Sequence, residues 1–461
     1  MAKLSGIEVY KHLPRTNCKD CGLPTCMAFA MQVASQKLGI DQCPHVSDDA
    51  RAALGAAQTP PMETVSLGPK ARSWLLGGET VMHRHEERFQ HAPLIATRVS
   101  ACLSDEDLEA RIESIHTLQF ERIGETIGVD AIAVDADGVD VDRFARVVAY
   151  VASRSELQIL LLCEQPELLE RAAAACLDRR PLLVAATHEN SQSVLQLALS
   201  MGLPIVARGC GIAEVTALAS ELGSSGIGQL LLDPQPEALV DAIGSLTQLR
   251  RLALEHRQSG AGYPAYVDVG SLAASSDEEA PDAMAQMTAG VSLVMKYAGV
   301  LVIDAVEAWA IHPVLAARQD IYTDPQVPNA VESKLYEIGD PGPDAPVLVT
   351  TNFALTYFSM AGEVANSKVP SFVSVIDTEG LGVLNAYADQ RLTVDRLVET
   401  IRAQGVMERV HHNRVIIPGL VARMRVGIEE ASGWQVIVGP DTASGIPRFL
   451  HERLAQWKDA P

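Results

Sequence analysis

From residue 94 onward, short apolar runs alternate with segments of helical spacing. The runs are Leu94–Ser100, Ala131–Asp135, Gln158–Glu164, Leu182–Thr187, Pro204–Gly209, Gly228–Asp233, Ala265–Gly270 and Val300–Val306. They are rich in Val, Ile, Leu and Ala and end on polar or glycine residues, the pattern of parallel strands buried on both faces. Segments between them, such as Glu106–Ile123 and Glu167–Leu177, carry apolar residues at helical spacing behind acidic starts. Eight such units in succession predict a (β/α)8 TIM barrel over residues 93–325. Asp135, Glu164, Thr187, Arg208, Asp233, Asp268 and Asp304 fall at the strand ends, which face the active site in barrels of this kind. Catalysis, helix capping and loop solvation are all open to them.

A second alternation begins near residue 346. Pro346–Asn352, Pro370–Asp377, Arg414–Gly419 and Trp434–Pro440 read as strands, with helices over Phe353–Val364, Leu392–Gln404 and Pro447–Trp457. This predicts a doubly wound, flavodoxin-like α/β domain over 326–461, with glycine- and threonine-rich loops at one sheet edge. Such an edge takes flat or phosphorylated ligands. No Walker lysine and no G-x-G-x-x-G occurs, and the residues alone do not choose among flavin, nucleotide and corrinoid.

Residues 57–92 read as a linker. Pro60-Pro61 and Gly77-Gly78 break regular structure, and His83, Arg84, His85 and Glu86 suggest a solvated face. The linker is then a candidate hinge.

Composition changes little in this picture. The chain is 48% hydrophobic and only 5% aromatic, which suits α/β folds, and its net charge is −21. Phosphate backbones and anionic lipids repel such a surface, so neither nucleic acid nor membrane is expected as a partner. No apolar run reaches membrane-spanning length, and the N-terminus lacks a signal-peptide core, so the expected location is cytoplasmic.

The cysteines change it more. Four of the eight lie within residues 1–56, as Cys18-x2-Cys21-x4-Cys26-x16-Cys43-Pro44. Three closely spaced thiolates and a fourth after a helix-length segment, Met27–Leu38, suit a 4Fe-4S cluster. Gly22 permits close backbone approach, and Pro44 stiffens the exit. Tetrahedral zinc is the rival, although only one pair has the knuckle spacing. So short a segment depends on its metal to fold. Cys102, Cys163, Cys176 and Cys210 read as small buried hydrophobes.

Long strings then carry a resemblance. They are Leu4-Ser-Gly-Ile-Glu-Val-Tyr-Lys-His-Leu-Pro-Arg-Thr-Asn-Cys18 through Cys26, Ile321-Tyr-Thr-Asp-Pro-Gln326, Tyr336-Glu-Ile-Gly339, Val347–Phe358, Asp377-Thr-Glu-Gly-Leu381 and Ile416-Ile-Pro-Gly419. Over essentially its whole length the chain resembles the large (gamma) subunit of the corrinoid iron–sulfur protein, from the acetyl-CoA synthase/carbon monoxide dehydrogenase system.

The resemblance implies a methyltransferase component that carries a methyl group on corrinoid cobalt. A methyltransferase would deliver the methyl from methyl-tetrahydrofolate or a related pterin, and acetyl-CoA synthase would receive it. The cluster, on Cys18, Cys21, Cys26 and Cys43, would return an electron when cobalt is oxidised. A small (delta) subunit is implied as heterodimer partner, with the barrel serving docking. The corrinoid, a cobamide bound base-off, is expected against Thr351, Asn352, Tyr357, Gly380, Leu381, Gly382, Val383, Leu384, Asn385, Gly439, Pro440, Ala443 and Gly445. No D-x-H-x-x-G loop supplies a histidine to cobalt, which suits easy reduction.

The chain departs from the family pattern at Asn385–Leu392, where Asn385 stands for a threonine near the lower face of cobalt, and at Gly439–Ser444. Two other readings follow from the departures. One is an iron–sulfur methyltransferase component for another acceptor, with a barrel that itself binds a pterin. The other is an electron-transfer or docking subunit without corrinoid.

Overall fold

The computed structural model describes residues 6–34, 38, 42–47, 61–84, 86, 89–122, 125–272, 282–319 and 328–458. The string Ile321–Gln326, the boundary at 325/326 and linker residues 57–60 lie outside the described residues. The chain divides into two compact units. One comprises residues 1–84, 89–118 and 129–318, and the other 85–88, 119–128 and 319–461.

The first unit opens with two short helices, Gly6–Lys11 and Cys26–Ala34, joined by the cysteine loop. An antiparallel hairpin follows, β1 (Thr64–Leu67) and β2 (Trp74–Gly77). Next comes a closed barrel of eight parallel strands. They are β3 (Leu94–Ser100), β6 (Ala131–Asp135), β7 (Gln158–Leu162), β8 (Leu182–Ala186), β9 (Ile205–Arg208), β10 (Leu230–Asp233), β11 (Ala265–Asp268) and β12 (Ala298–Ile303), with β4 and β5 given below. All eight predicted runs form strands, in sequential order around the barrel. Helix starts use the expected caps. Ser104 accepts the Asp107 N–H at 3.1 Å, and Asp140 accepts that of Arg143 at 2.8 Å.

The linker reading of 57–92 is corrected. Val65, Leu67 and Leu76 of the β1–β2 hairpin are fully buried in the barrel core, beside Leu94, Ala131, Leu160 and Tyr266. Arg180, just before β8, donates to the Ser66 carbonyl at 3.1 Å, and Gln229, just before β10, accepts the Ser66 N–H at 2.6 Å. The hairpin therefore plugs the end of the barrel where strands begin. The signal was the alternation in Thr64–Leu67, masked by flanking glycines and prolines. Residues 64–84 are no hinge. Arg84 is buried, not solvated, with its guanidinium 4.2 Å from the Phe89 ring centre. At the same end the buried Asp130 pairs with Arg318 and accepts the Ile95 N–H at 2.9 Å, which ties the first strand to the last helix.

The helix expected over Glu106–Ile123 ends at His116. A hairpin takes its place, β4 (Gln119–Arg122) and β5 (Glu125–Gly128), and it belongs to the second unit. Arg122 and Gln319 fasten it with reciprocal hydrogen bonds of 2.6 and 3.0 Å.

The rest of the second unit is a five-stranded sheet of β13 (Leu335–Ile338), β14 (Val347–Thr351), β15 (Ser371–Ile376), β16 (Arg414–Ile417) and β17 (Gln435–Val438), in the order β13-β15-β14-β16-β17. The last four are parallel, and β13 adds an antiparallel edge that the sequence pattern hid because its side chains are half-exposed. The order around β14 is that of a flavodoxin-like sheet, with its crossover between β14 and β16. Apolar residues cover both faces. Val347, Val349 and Ile417 pack under helices Val394–Ala403 and Arg425–Ser432, and Leu348, Val373 and Ile416 under Ala354–Asn366 and Ile446–Lys458. Among the described residues, no helix is long and apolar enough to cross a membrane.

Candidate functional site

Three places gather chemistry. In the cysteine loop, Cys18 is exposed, Cys21 half-buried, and Cys26 and Cys43 buried. Val9, Leu13, Phe29, Val33 and Val46 form the small core around the buried pair. Arg15, Asn17, Lys19 and Gly22 all have positive φ, of 59°, 52°, 69° and 79°. Four left-handed residues within eight make this a tightly turned loop, in which the Gly22 N–H closes on the Lys19 carbonyl at 2.9 Å. Asn17 clasps Cys26 from two sides. Its N–H points at the Cys26 sulfur from 3.3 Å, and its side-chain oxygen accepts the Cys26 N–H at 2.8 Å.

Four thiolates on one zinc, with bonds of about 2.3 Å, would stand about 3.8 Å apart. Among the described residues no three cysteine sulfurs lie within 4.8 Å of one another; the group that does is Cys18, Asp20 and His45. His45 and Asp20 are themselves bonded at 2.5 Å, a pair the cysteine spacing gave no hint of.

The barrel mouth holds the strand-end acids, and two arginines neutralise them. Arg98 reaches Asp135 at 3.1 Å, Asp304 at 2.8 Å and also Asp268. Arg208 reaches Asp233 at 3.0 Å and Glu164 at 2.7 Å. Burial works against the Arg98 charge, but Asp268 and Asp304 outweigh it and raise its pKa. Burial likewise raises Asp135, Asp233 and Asp304, against the pull of the arginines. Asp135, Asp233 and Asp268 also accept the N–H groups of Asp137, Gln235 and Ser271, so they double as loop caps. Thr187 meets Asn190 through its N–H at 2.8 Å.

The scattered thiols differ from expectation. Cys176 is buried, and burial pushes its pKa up to about 12. Cys163 is half-buried, whereas Cys102 and Cys210 are exposed because the loops after β3 and β9 hold them outside the core.

At the C-terminal sheet edge a cavity of about 300 Å³ opens at the β14–β16 crossover. Val383, Gly439, Pro440 and Ala443, named from the sequence, line it. Thr350, Thr356, Ser359, Leu420 and Thr442 line it too, and sequence reasoning missed them. The buried Thr350 hydroxyl has no hydrogen-bond partner among the described residues. Leu384, on the helix that begins at Val383, and Leu420, at the cavity, leave 53% and 41% of their surface in solvent. Asn385 is exposed beside Leu384 on helix Val383–Ala388. A mainly apolar slot, one orphaned buried hydroxyl and an uncovered apolar rim fit a large flat ligand with a tail.

The other expected contacts serve the chain itself. Tyr357 packs in the core, 4.5 Å from the Tyr336 ring centre, and burial raises its pKa to about 12. Thr351 is wholly buried, and Leu381 packs against the core. Gly382 begins helix Val383–Ala388. A Cβ on Gly445 would stand 2.8 Å from the Pro440 ring, so that glycine lets two loops close on each other. Asn352 and Gly380 are bonded to each other and to neighbouring groups of the same loop.

Residues 64–450 match the family model described as CO dehydrogenase/acetyl-CoA synthase delta subunit, and residues 13–45 match one described as "Putative Fe-S cluster". The chain is 41% identical to the corrinoid/iron-sulfur protein large subunit of Moorella thermoacetica, over 98% of this chain and 99% of that one. It is 34% identical to the acetyl-CoA decarbonylase/synthase complex subunit gamma of Methanopyrus kandleri, over 98% of each. Among solved structures, 7,8-dihydropteroate synthase from Vibrio fischeri ES114 aligns over 57% of this chain and 100% of its own, at 14% identity and a TM-score of 0.41.

Proposed function

The chain belongs to the family of corrinoid/iron–sulfur protein large subunits, the gamma subunits of the acetyl-CoA decarbonylase/synthase complex, and from that premise we propose that it is the methyl carrier of the complex. It holds an iron–sulfur cluster and a corrinoid, and it works as one subunit among several. In this reading a separate methyltransferase supplies the methyl group from methyl-tetrahydrofolate or a related pterin. Acetyl-CoA synthase receives it, and a small delta subunit completes a heterodimer. The bound corrinoid supplies the cobalt chemistry of methyl acceptance and release.

This chain's residues bind and orient that group. The slot at the β14–β16 crossover takes the tail, where the Thr350 hydroxyl offers it one hydrogen bond. Leu384 and Leu420 would offer apolar contact to the ring, and the exposed Asn385 beside Leu384 would offer it a polar group. Cys18, Cys21, Cys26 and Cys43 would hold the cluster, which would supply one-electron transfer, and Cys18 is the exposed member of the four. The crossover cavity, with its orphaned hydroxyl and bare apolar rim, is the observation that carries the reading. Against a barrel that handles a pterin itself stands the mouth, where Arg98 and Arg208 already occupy the acids.

The test uses protein purified without oxygen and supplied with a cobamide. It is expected to show corrin absorption beside that of the cluster. It is also expected to take up labelled methyl from methyl-tetrahydrofolate only when the methyltransferase is added. No corrin binding would leave an electron-transfer or docking subunit. Methyl uptake without the methyltransferase would favour a pterin-binding barrel.

A further inference from the structure

We infer that Asn352 is a positioning residue for the corrinoid, an amide that sets the chain beneath the cofactor without touching it. The inference rests on the corrinoid reading above. Asn352 follows the last residue of β14 and is buried. Its side-chain oxygen accepts two hydrogen bonds from the loop after β15, from the Thr378 N–H at 2.9 Å and the Gly380 N–H at 3.0 Å. The Thr378 hydroxyl lies 3.0 Å from the same oxygen and shares its single proton between it and the Leu381 carbonyl. The Asn352 amide nitrogen donates to Asp377 at 2.9 Å. An amide oxygen has two lone pairs, so the two N–H groups occupy it and leave nothing there for a ligand.

The loop so held leads directly to the cofactor edge. The Thr378 hydroxyl lies 2.8 Å from the Leu381 carbonyl, and the Leu381 N–H returns to the Thr378 carbonyl at 3.2 Å. Gly382 then starts helix Val383–Ala388, in which Val383 lines the cavity and Leu384 and Asn385 are exposed. Glu379 and Gly380 both sit at positive φ, of 57° and 78°, so the turn needs outside support to keep its shape. Asn352 supplies that support from the neighbouring strand. The rotation and depth of Asn385 and Leu384 therefore depend on one buried amide. Asp377 completes the fastening. Its Oδ1 takes both the Asn352 amide and the Glu379 N–H, and its other oxygen lies 3.7 Å from Arg396.

The experiment compares the full chain, loaded with cobamide, as wild type, Asn352→Ala, Asn352→Asp, Thr378→Val and the double variant Asn352→Asp with Asp377→Asn. The readouts are cobamide affinity, the cobalt(II)/cobalt(I) midpoint potential, the electron spin resonance spectrum of cobalt(II), and the thermal midpoint of the unloaded protein. Asn352→Ala leaves the Thr378 and Gly380 N–H groups without their acceptor, and cobamide affinity is expected to fall about tenfold or more, with a shifted potential and broadened cobalt(II) lines. Asn352→Asp keeps the acceptor but sets two carboxylates together, so it is expected to show part of the defect. Adding Asp377→Asn restores a donor between the pair and is expected to return potential and spectrum toward wild type. Thr378→Val removes one donor and is expected to move potential and spectrum in the same direction, which keeps the test open if Asn352→Ala fails to fold. Wild type that binds no cobamide would sink the corrinoid reading and this inference together. Wild type that binds, with variants of unchanged potential and spectrum, would overturn the inference alone. So would a loss of thermal stability that the double variant does not rescue in potential.

Discussion

Asn17 and Cys26 hold each other by two hydrogen bonds of opposite direction, N–H to sulfur at 3.3 Å and N–H to side-chain oxygen at 2.8 Å. If Cys26 is a cluster ligand, as proposed, one bond orients it and the other draws charge from its sulfur. The φ of 52° at Asn17 is a conformation that asparagine tolerates better than most residues. Asn17→Ala should therefore lose both the acceptor and the conformational ease, at about 1–3 kcal/mol in the module. Cluster loss to an iron chelator, followed by absorbance, should quicken. Asn17→Gly keeps the backbone shape and should lose less. Equal rates for both variants and wild type would remove Asn17 from the support of the cluster.

Arg98 is the counter-ion of three partly buried carboxylates. Arg98→Met leaves them facing one another and should destabilise the barrel by about 3–5 kcal/mol, measured by urea unfolding near neutral pH. The sign of the pH dependence follows from burial. The raised pKa values of Asp135 and Asp304 mean that the native state holds their protons more tightly than the unfolded chain. Their contribution is full below the ordinary carboxylate pKa of about 3.9 and is lost as pH rises through the raised values. Without Arg98 these values rise further. The variant should then lose more stability than wild type as pH increases from about 4 to neutrality. Parallel curves would mean that the acids do not depend on Arg98.

Leu67 contributes a fully buried side chain from the hairpin to the barrel core. Leu67→Ala should cost about 2–5 kcal/mol in urea unfolding. A connector residue would cost less than about 0.5 kcal/mol.

Thr350→Val removes a buried hydroxyl that has no partner and keeps the shape. The unloaded protein should become more stable by up to about 1–2 kcal/mol, while cobamide affinity falls. Thermal midpoints with and without cobamide check both halves. A less stable unloaded variant would mean that the hydroxyl is already bonded within the chain.

The period of the apolar runs made the strands legible. Parallel strands buried on both faces read as continuous Val/Ile/Leu stretches, and glycine or polar residues mark where they stop. The cysteine spacing was legible because a cluster needs several thiolates on one short loop. Less visible were elements with half-exposed or very short patterns. The hairpin at 64–77 looked like a linker because four-residue strands give one period of alternation between glycines and prolines. β13 was hidden by its half-exposed edge position.

The sequence by itself determined the eight barrel strands and the four parallel strands of the second sheet, since periodicity is a local property of the chain. The tertiary structure decided which polar groups are free. Arg98 and Asp304 are far apart in the chain, yet they meet at 2.8 Å at the ends of the neighbouring strands β3 and β12. Asn352 and Gly380 meet across adjacent strand ends in the same way. Asn17 shows the division within one residue. Its place beside Cys18 is written in the chain, but its two hydrogen bonds with Cys26 exist only once the loop has closed, because backbone direction is set by folding and not by spacing.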